Sequence, residues 1–245
     1  MPSPNSSCVV LVPISAPPTA KCEDGLKELV KRGYVVRRMR GFSAIDQGRN
    51  QVASDALHDG FQELMWIDAD VGFEADDVDR LRKHNLPIVA GLYPQPGSRS
   101  LACELLPETR EVVFGEEGGL LEVKYVAAGF LHVRREVLET VRDRLKLPHC
   151  NTRFNPRGIW PFFQPCTVED ELILPAEKPN TSPITIQHRY LTDDFAFCHR
   201  ARAAGFKIHV DTSIRLWRAG PYGYGWEEAG QDVERFDTYR FQVEE

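Results

Sequence analysis

Short apolar runs alternate with stretches of helical spacing along the first hundred residues. Cys8–Pro13 is a β-branched run, polar before it and proline-rich after it, which is the pattern of a buried strand. Residues 21–31 set Leu26, Leu29 and Val30 on one helical face, with Gly33 placed to stop the helix. A second strand is predicted over 34–36. A helix follows over 46–58, on Val52, Ala53, Ala56 and Leu57 with Gly60 as the stop, and then a buried strand over 64–67. Val78 and Leu81 mark a short helix, and 88–92 another strand. The order strand, helix, strand, helix, strand predicts a layered α/β fold with a largely parallel sheet.

From residue 100 the pattern changes. Residues 101–106, 111–114 and 121–126 are short β runs separated by turn residues, which predicts a small antiparallel ribbon and a mixed sheet. Helical spacing returns over 134–145. Residues 146–190 hold seven of the seventeen prolines and no sustained apolar period, so a long active-site flap is expected there. A helix over 192–204, stopped by Gly205, and a strand over 206–210 precede an aromatic-rich end without a clear period. No internal repeat or linker breaks the chain, and its 245 residues predict a single domain spanning 1–245.

Charge narrows the partners. The formal charge of −6 and the lack of a basic run longer than the three arginines within 36–40 argue against nucleic acid. No apolar stretch reaches the ~20 residues of a spanning helix, and the first residues lack the pattern of a signal peptide, so a soluble, cytoplasmic protein is expected. Six cysteines are scattered without a Cys-x-x-Cys pair, which favours buried thiols over a zinc site or a disulfide framework.

The candidate chemistry centres on Asp68-Ala69-Asp70, directly after the apolar run 64–67. In extended backbone, side chains two apart point the same way, so both carboxylates can converge on a hard cation or on a cation and a sugar hydroxyl. The carboxyl end of a strand is also where open α/β sheets bind ligands. A turn with a solvated carboxylate is the plain alternative. Arg49, on a helix with Val52 and Ala56 on its other side, suits a phosphate or base as well as it suits solvent. Ala127, Ala128 and Gly129 form a stretch without bulk, which fits either the close approach of a ligand or tight packing. Asp193 and Asp194 stand at a predicted helix start after Thr192, where carboxylates also cap; one can cap while the other works. His188 and His209 are candidate further ligands for such a cation, although a lone histidine is more often structural.

These segments resemble the GT-A class of nucleotide-sugar-dependent glycosyltransferases. Asp68-Ala69-Asp70 is similar to the family's Asp-x-Asp. Gly48-Arg49-Asn50-Gln51 is similar to its arginine-asparagine helix start, residues 126–135 to its small-small-Gly-aromatic strand, and 191–198 to its acidic pair near the acceptor. The resemblance covers most of the chain. It implies a single GT-A-like (Rossmann-like) α/β domain, with a mixed, mainly parallel sheet flanked by helices. Residues 1–99 would form the nucleotide-binding half, and 100–245 the acceptor half with its flap at 146–190. It further implies Mn²⁺ or Mg²⁺ on Asp68 and Asp70, and a UDP- or GDP-linked sugar contacting Pro13, Ser15, Arg49, Asp68, Ala69, Asp70, Ala128, Gly129 and Arg218. A glycan, lipid or protein hydroxyl is the implied acceptor, with Asp194, then Asp193, as the base. Trp217, Tyr222, Tyr224 and Trp226, spaced by glycines, suit a lid that stacks on acceptor or donor as well as they suit a tail packed on the core. Arg218 stands where relatives carry a metal-binding histidine, and a guanidinium cannot ligate a divalent ion. It either brings its own charge to the diphosphate or marks a weakened enzyme. The rival readings are a degenerate glycan- or nucleotide-binding module, and a sugar nucleotidyltransferase, whose glycine-rich basic loop is missing from residues 14–18.

Overall fold

The computed structural model describes residues 4–95, 100–173, 184–219, 223–226 and 238–242. Strand β1 (Cys8–Pro13) is buried at every position and pairs in parallel with β2 (Val35–Met39) on one side and β3 (Glu63–Ile67) on the other. Two helices carry the chain between them, α1 (Ala20–Lys31) and α2 (Ile45–His58). The Thr19 hydroxyl caps α1 by accepting the Cys22 N–H, and Gly33, at φ 87°, makes the left-handed turn that ends it. After β3 come β4 (Val71–Gly72), α3 (Ala75–Lys83), whose start is closed by a reciprocal Glu74–Asp77 capping box, and β5 (Ile88–Gly91).

The second half adds β6 (Cys103–Leu105), β7 (Glu111–Gly115), β8 (Leu120–Val126), β9 (Phe130–Arg134) and α4 (Arg135–Arg144). It continues through β10 (Cys166–Ile173), β11 (Ile184–Leu191), α5 (Asp193–Ala203) and β12 (Ile208–Asp211). β13 (Trp217–Ala219), β14 (Gly223–Tyr224) and β15 (Thr238–Gln242) follow. The main sheet has eight strands in the order β2-β1-β3-β9-β5-β12-β8-β6. Only β9 and β8 run against their neighbours, so the sheet is mixed and mainly of one direction, as the pattern predicts. Because β9 lies between β3 and β5, one sheet draws on both halves of the chain.

Alternate residues of β1 feed two cores. Val9 and Leu11 face α2, α4 and α5, while Val10 and Val12 join Leu26 and Leu29 of α1 and Val78 and Leu81 of α3. Each of these aliphatic side chains, fully withdrawn from water, stabilises the fold by about 1.5–3 kcal/mol. Among the described residues no helix is long and apolar enough to cross a membrane, and all six cysteines are free thiols.

Three expectations change. Among its described residues the expected flap over 146–190 is not one long loop. Its first part is pinned by Phe162 and Phe163, both fully buried, and its second is the antiparallel ribbon β10–β11. β7 does not join a ribbon with its sequence neighbours: it pairs with β15, an edge partner nearly the whole second half away in sequence. Ala127, Ala128 and Gly129 lie between strands, not within one, as the turn from β8 to β9.

Candidate functional site

The carboxyl ends of β1, β3 and β5 and the start of β9 meet along one edge of the sheet. Phe130 pairs with Ile67, which brings Gly129 beside Asp68, and the Asp68 N–H donates to the Gly129 carbonyl at 2.9 Å. β13 lies antiparallel to β4 with Arg218 opposite Val71, and the Ala219 N–H donates to the Asp70 carbonyl at 2.8 Å. The Asp-x-Asp turn is thus held by backbone bonds from both sides.

Each aspartate of the pair meets an arginine. Arg49, 3% exposed, donates from Nη2 to Asp68 Oδ1 at 2.8 Å and from Nε to Asp193 Oδ2 at 2.9 Å. Its guanidinium lies between the Trp66 ring, 5.5 Å away, and the Phe163 ring, 6.0 Å away, while its buried Nη1 has no hydrogen-bond partner among the described residues. Burial disfavours its charge, but Asp68, Asp193 and Asp194 outweigh burial and hold it protonated. Arg218 donates from Nε to Asp70 Oδ2 at 3.0 Å, with its guanidinium 5.2 Å from the Tyr93 ring. Burial raises the Asp70 carboxyl, and Arg218 partly offsets the rise. Asp193 is raised in the same way, with Arg49 as the offset.

A cleft of about 460 Å³ opens beside this cluster, a size that suits a small-molecule ligand. Pro13, Ser15, Ala16 and Pro17 form one wall, Phe42 to Ile45 another, and Asp68, Ala69, Asp70 and Arg218 the floor and rim. Pro13, Ser15 and the Asp-x-Asp therefore line one cleft. Arg49 is brought to the cluster but spends its bonds on carboxylates. Ala128 is fully buried, and the space over Gly129 is filled by the Tyr93 hydroxyl and Asp68, so packing accounts for the small residues.

At the start of α5 the two acids divide their work. Asp193 holds Arg49, whereas Asp194 Oδ1 accepts from the Thr192 hydroxyl and the Phe195 N–H, both at 2.9 Å. Among the described residues no hydrogen bond engages Asp194 Oδ2. Of the aromatic group, Trp217 lies half-buried under Lys21, and Tyr224 pairs with Arg218 in β14. Tyr222 lies outside the described residues. Trp226, 2% exposed, stacks on Phe114 with Arg215 over its ring, so its faces are taken by the core. Sequence reasoning passes over Tyr93, whose hydroxyl accepts the Gly129 N–H at 3.0 Å and whose ring supports Arg218. The signal for it is its place just after the apolar run 88–92, on the ligand-binding edge.

A divalent ion, implied by the GT-A resemblance, does not fit this donor set. One oxygen of each aspartate is bonded to a guanidinium, and among the described residues no group of three His, Cys, Asp or Glu side chains is placed to hold a metal. His209 pairs with Glu122 within the sheet and His188 lies on the exposed ribbon, so neither completes a site.

No protein-family model matches the chain, and no curated protein is similar to it. Among solved structures it is similar to A197 from STIV over 94% of this chain and 97% of that one, at 14% identity and a TM-score of 0.54, which marks a shared fold. A glycosyltransferase involved in the glycosylation of the major capsid of PBCV-1 matches over 54% of this chain and 61% of its own, at 14% identity and a TM-score of 0.31. A UDP-glucose pyrophosphorylase complexed with UDP-glucose matches over 86% and 74%, at 10% identity and a TM-score of 0.37. Likenesses as distant as these last two carry no functional weight.

Proposed function

We propose that this protein is a glycosyltransferase that moves a hexose from a nucleotide diphosphate sugar to a hydroxyl acceptor. One observation supports this reading above others: segments far apart in sequence, each resembling a GT-A motif, converge on one cleft. Arg49, Asp68, Gly129, Asp193 and Arg218 form a continuous cluster at the ligand-binding edge of the sheet, with the cleft walled by the loops after β1 and β2. The nucleoside lies against Pro13 and Ser15, and the diphosphate lies over Asp68 to Asp70. In the transfer, the bond from sugar C1 to the diphosphate oxygen breaks, its electron pair leaving with the diphosphate. The acceptor oxygen bonds to C1, and its proton passes to the open Oδ2 of Asp194.

The test is a thermal-shift screen of UDP- and GDP-linked sugars, followed by a product assay with the donors that bind. A binding donor raises the unfolding temperature, because the ligand stabilises only the native state. If no nucleotide sugar shifts the transition, the reading is wrong; binding without turnover against a range of glycan, lipid and peptide hydroxyls points to a binding module instead.

A further inference from the structure

We propose that Asp70 is a positioning residue for Arg218 and that Arg218 is the cation that receives the diphosphate, with no divalent ion between them. The inference rests on the donor-binding reading above and assigns the chemistry of its leaving-group subsite.

The geometry sets up this role in three ways. First, the backbone fixes both partners: Arg218 is held in the β4–β13 ladder, and the Ala219 N–H bonds the Asp70 carbonyl. Second, the bond to Asp70 uses Nε, the inner nitrogen of the guanidinium. Among the described residues no hydrogen bond engages Nη1 or Nη2, and Arg218 lines the cleft. Two adjacent N–H-bearing nitrogens in one plane match two oxygens of a diphosphate, an arrangement a lysine or a neutral histidine does not offer. Third, the ring of Tyr93 supports the guanidinium from the protein side.

A divalent ion on Asp70 would sit beside the Arg218 guanidinium that already holds Oδ2. Two cations a few ångströms apart repel, and an ion with two charges doubles the repulsion. Arg218 thus fills the electrostatic role of the ion while excluding it. When the C1–oxygen bond breaks, the diphosphate gains one negative charge, and the Nη groups meet that charge directly.

Calorimetric titration with UDP and GDP, in EDTA and in Mn²⁺, tests this on the full chain and on Arg218→Ala, Arg218→Lys, Asp70→Asn and the double variant Asp70→Asn/Arg218→Ala. The parent is expected to bind equally well with and without the ion. Arg218→Ala should bind about ten- to a hundredfold more weakly, the effect of losing charge-assisted hydrogen bonds, and Arg218→Lys should recover part of the loss. Asp70→Asn should weaken binding less than Arg218→Ala, and the double variant should bind no worse than Arg218→Ala, because Asp70 acts only through the arginine. Circular dichroism on each variant separates lost folding from lost binding. Binding that appears only with Mn²⁺ overturns the proposal and leaves the donor reading intact. So does parental affinity in both Arg218 variants. Additive losses in the double variant remove the positioning role. Absence of nucleoside diphosphate binding in every condition overturns the proposal together with the donor reading.

Discussion

Arg49 places a full positive charge where almost no water reaches, and the fold tolerates it because Asp68 and Asp193 neutralise it from two sides. Arg49→Met removes the cation and keeps much of its bulk, leaving two carboxylates facing each other. Breaking a buried pair of this kind costs about 3–5 kcal/mol, so the urea midpoint should fall accordingly at pH 7.5. The Asp193 carboxyl is already raised by burial and rises further without Arg49. A group with a raised folded pKa regains stability as pH falls, since the native state then takes up the proton; the deficit of Arg49→Met should therefore shrink toward pH 5. A deficit that is independent of pH assigns the loss to packing alone. Asp194 makes the opposite kind of contribution, being satisfied at Oδ1 by its own helix start and open at Oδ2. Asp194→Asn should reduce transfer by about a hundredfold or more, the usual worth of a general base, with donor affinity unchanged. A parallel loss of donor affinity places Asp194 in the donor site. The aspartates of the site were legible from sequence, because an acidic pair after an apolar run needs only local pattern to be noticed. That Arg49 is buried, and bonded to acids 19 and 144 positions away, was not, since those partners meet only through the sheet order.

At the scale of elements, the apolar periods place β1, β3, β5 and the five helices among the described residues within a few residues of where they stand, whereas β9, between β3 and β5, was indicated only by the resemblance. β1 coincides with its predicted run, and α5 starts after Thr192 as its acids suggest. Elements made by pairing across long separations were hidden. β13, β14 and β15 carry no period of their own and exist because β4 and β7 offer them an edge. The segment 146–165 looked like a flap because prolines interrupt it. Besides the buried Phe162 and Phe163, its anchors are polar bonds to one face of α2: Asn50 Oδ1 accepts the Phe163 N–H at 2.7 Å, and the Ser54 hydroxyl accepts the Trp160 N–H at 2.9 Å. No apolar count reveals such contacts. The turn from β8 to β9 gives a sharp test of how this edge is packed. A Cβ on Gly129 would lie 2.2 Å from the Tyr93 hydroxyl and 3.0 Å from Asp68 Oδ2, with Tyr93 buried and unable to swing away. Gly129→Ala should cost about 1–3 kcal/mol of stability as an overpacked core position. It should also weaken nucleoside diphosphate binding, because the displaced Tyr93 ring supports Arg218. Parental stability in urea would show that the turn has room after all.

Across the whole molecule, the two edges of the sheet handle charge differently. At the site edge the burial of Asp70 and Asp193 is only partly offset, whereas at the opposite edge Glu63 is fully satisfied. There Glu63 accepts from Arg82 Nε and Nη2, at 2.9 and 2.8 Å, and from His132 Nε2 at 2.8 Å. Burial alone would raise the Glu63 carboxyl, but these bonds outweigh it and hold the group far below the ordinary range. His132, fully buried in β9, is shifted the other way for a base: burial lowers its pKa despite the Glu63 partner, so the folded protein keeps it neutral. A histidine that stays neutral when folded, yet binds a proton below about pH 6.5 when unfolded, lends stability above that pH and loses it as pH falls, because acid then draws the equilibrium toward the unfolded chain. Comparing the parent with His132→Phe isolates this effect, since acids common to both proteins cancel in the difference and the ring volume is nearly kept. The parent should be the more stable at pH 7.5, where the variant leaves Glu63 short of one donor. On going to pH 5.5 that advantage should narrow by up to about 1 kcal/mol, the linkage of a single proton. Urea midpoints at both pH values make the measurement, and an advantage that holds constant would mean that folded His132 takes up its proton as readily as the unfolded chain does.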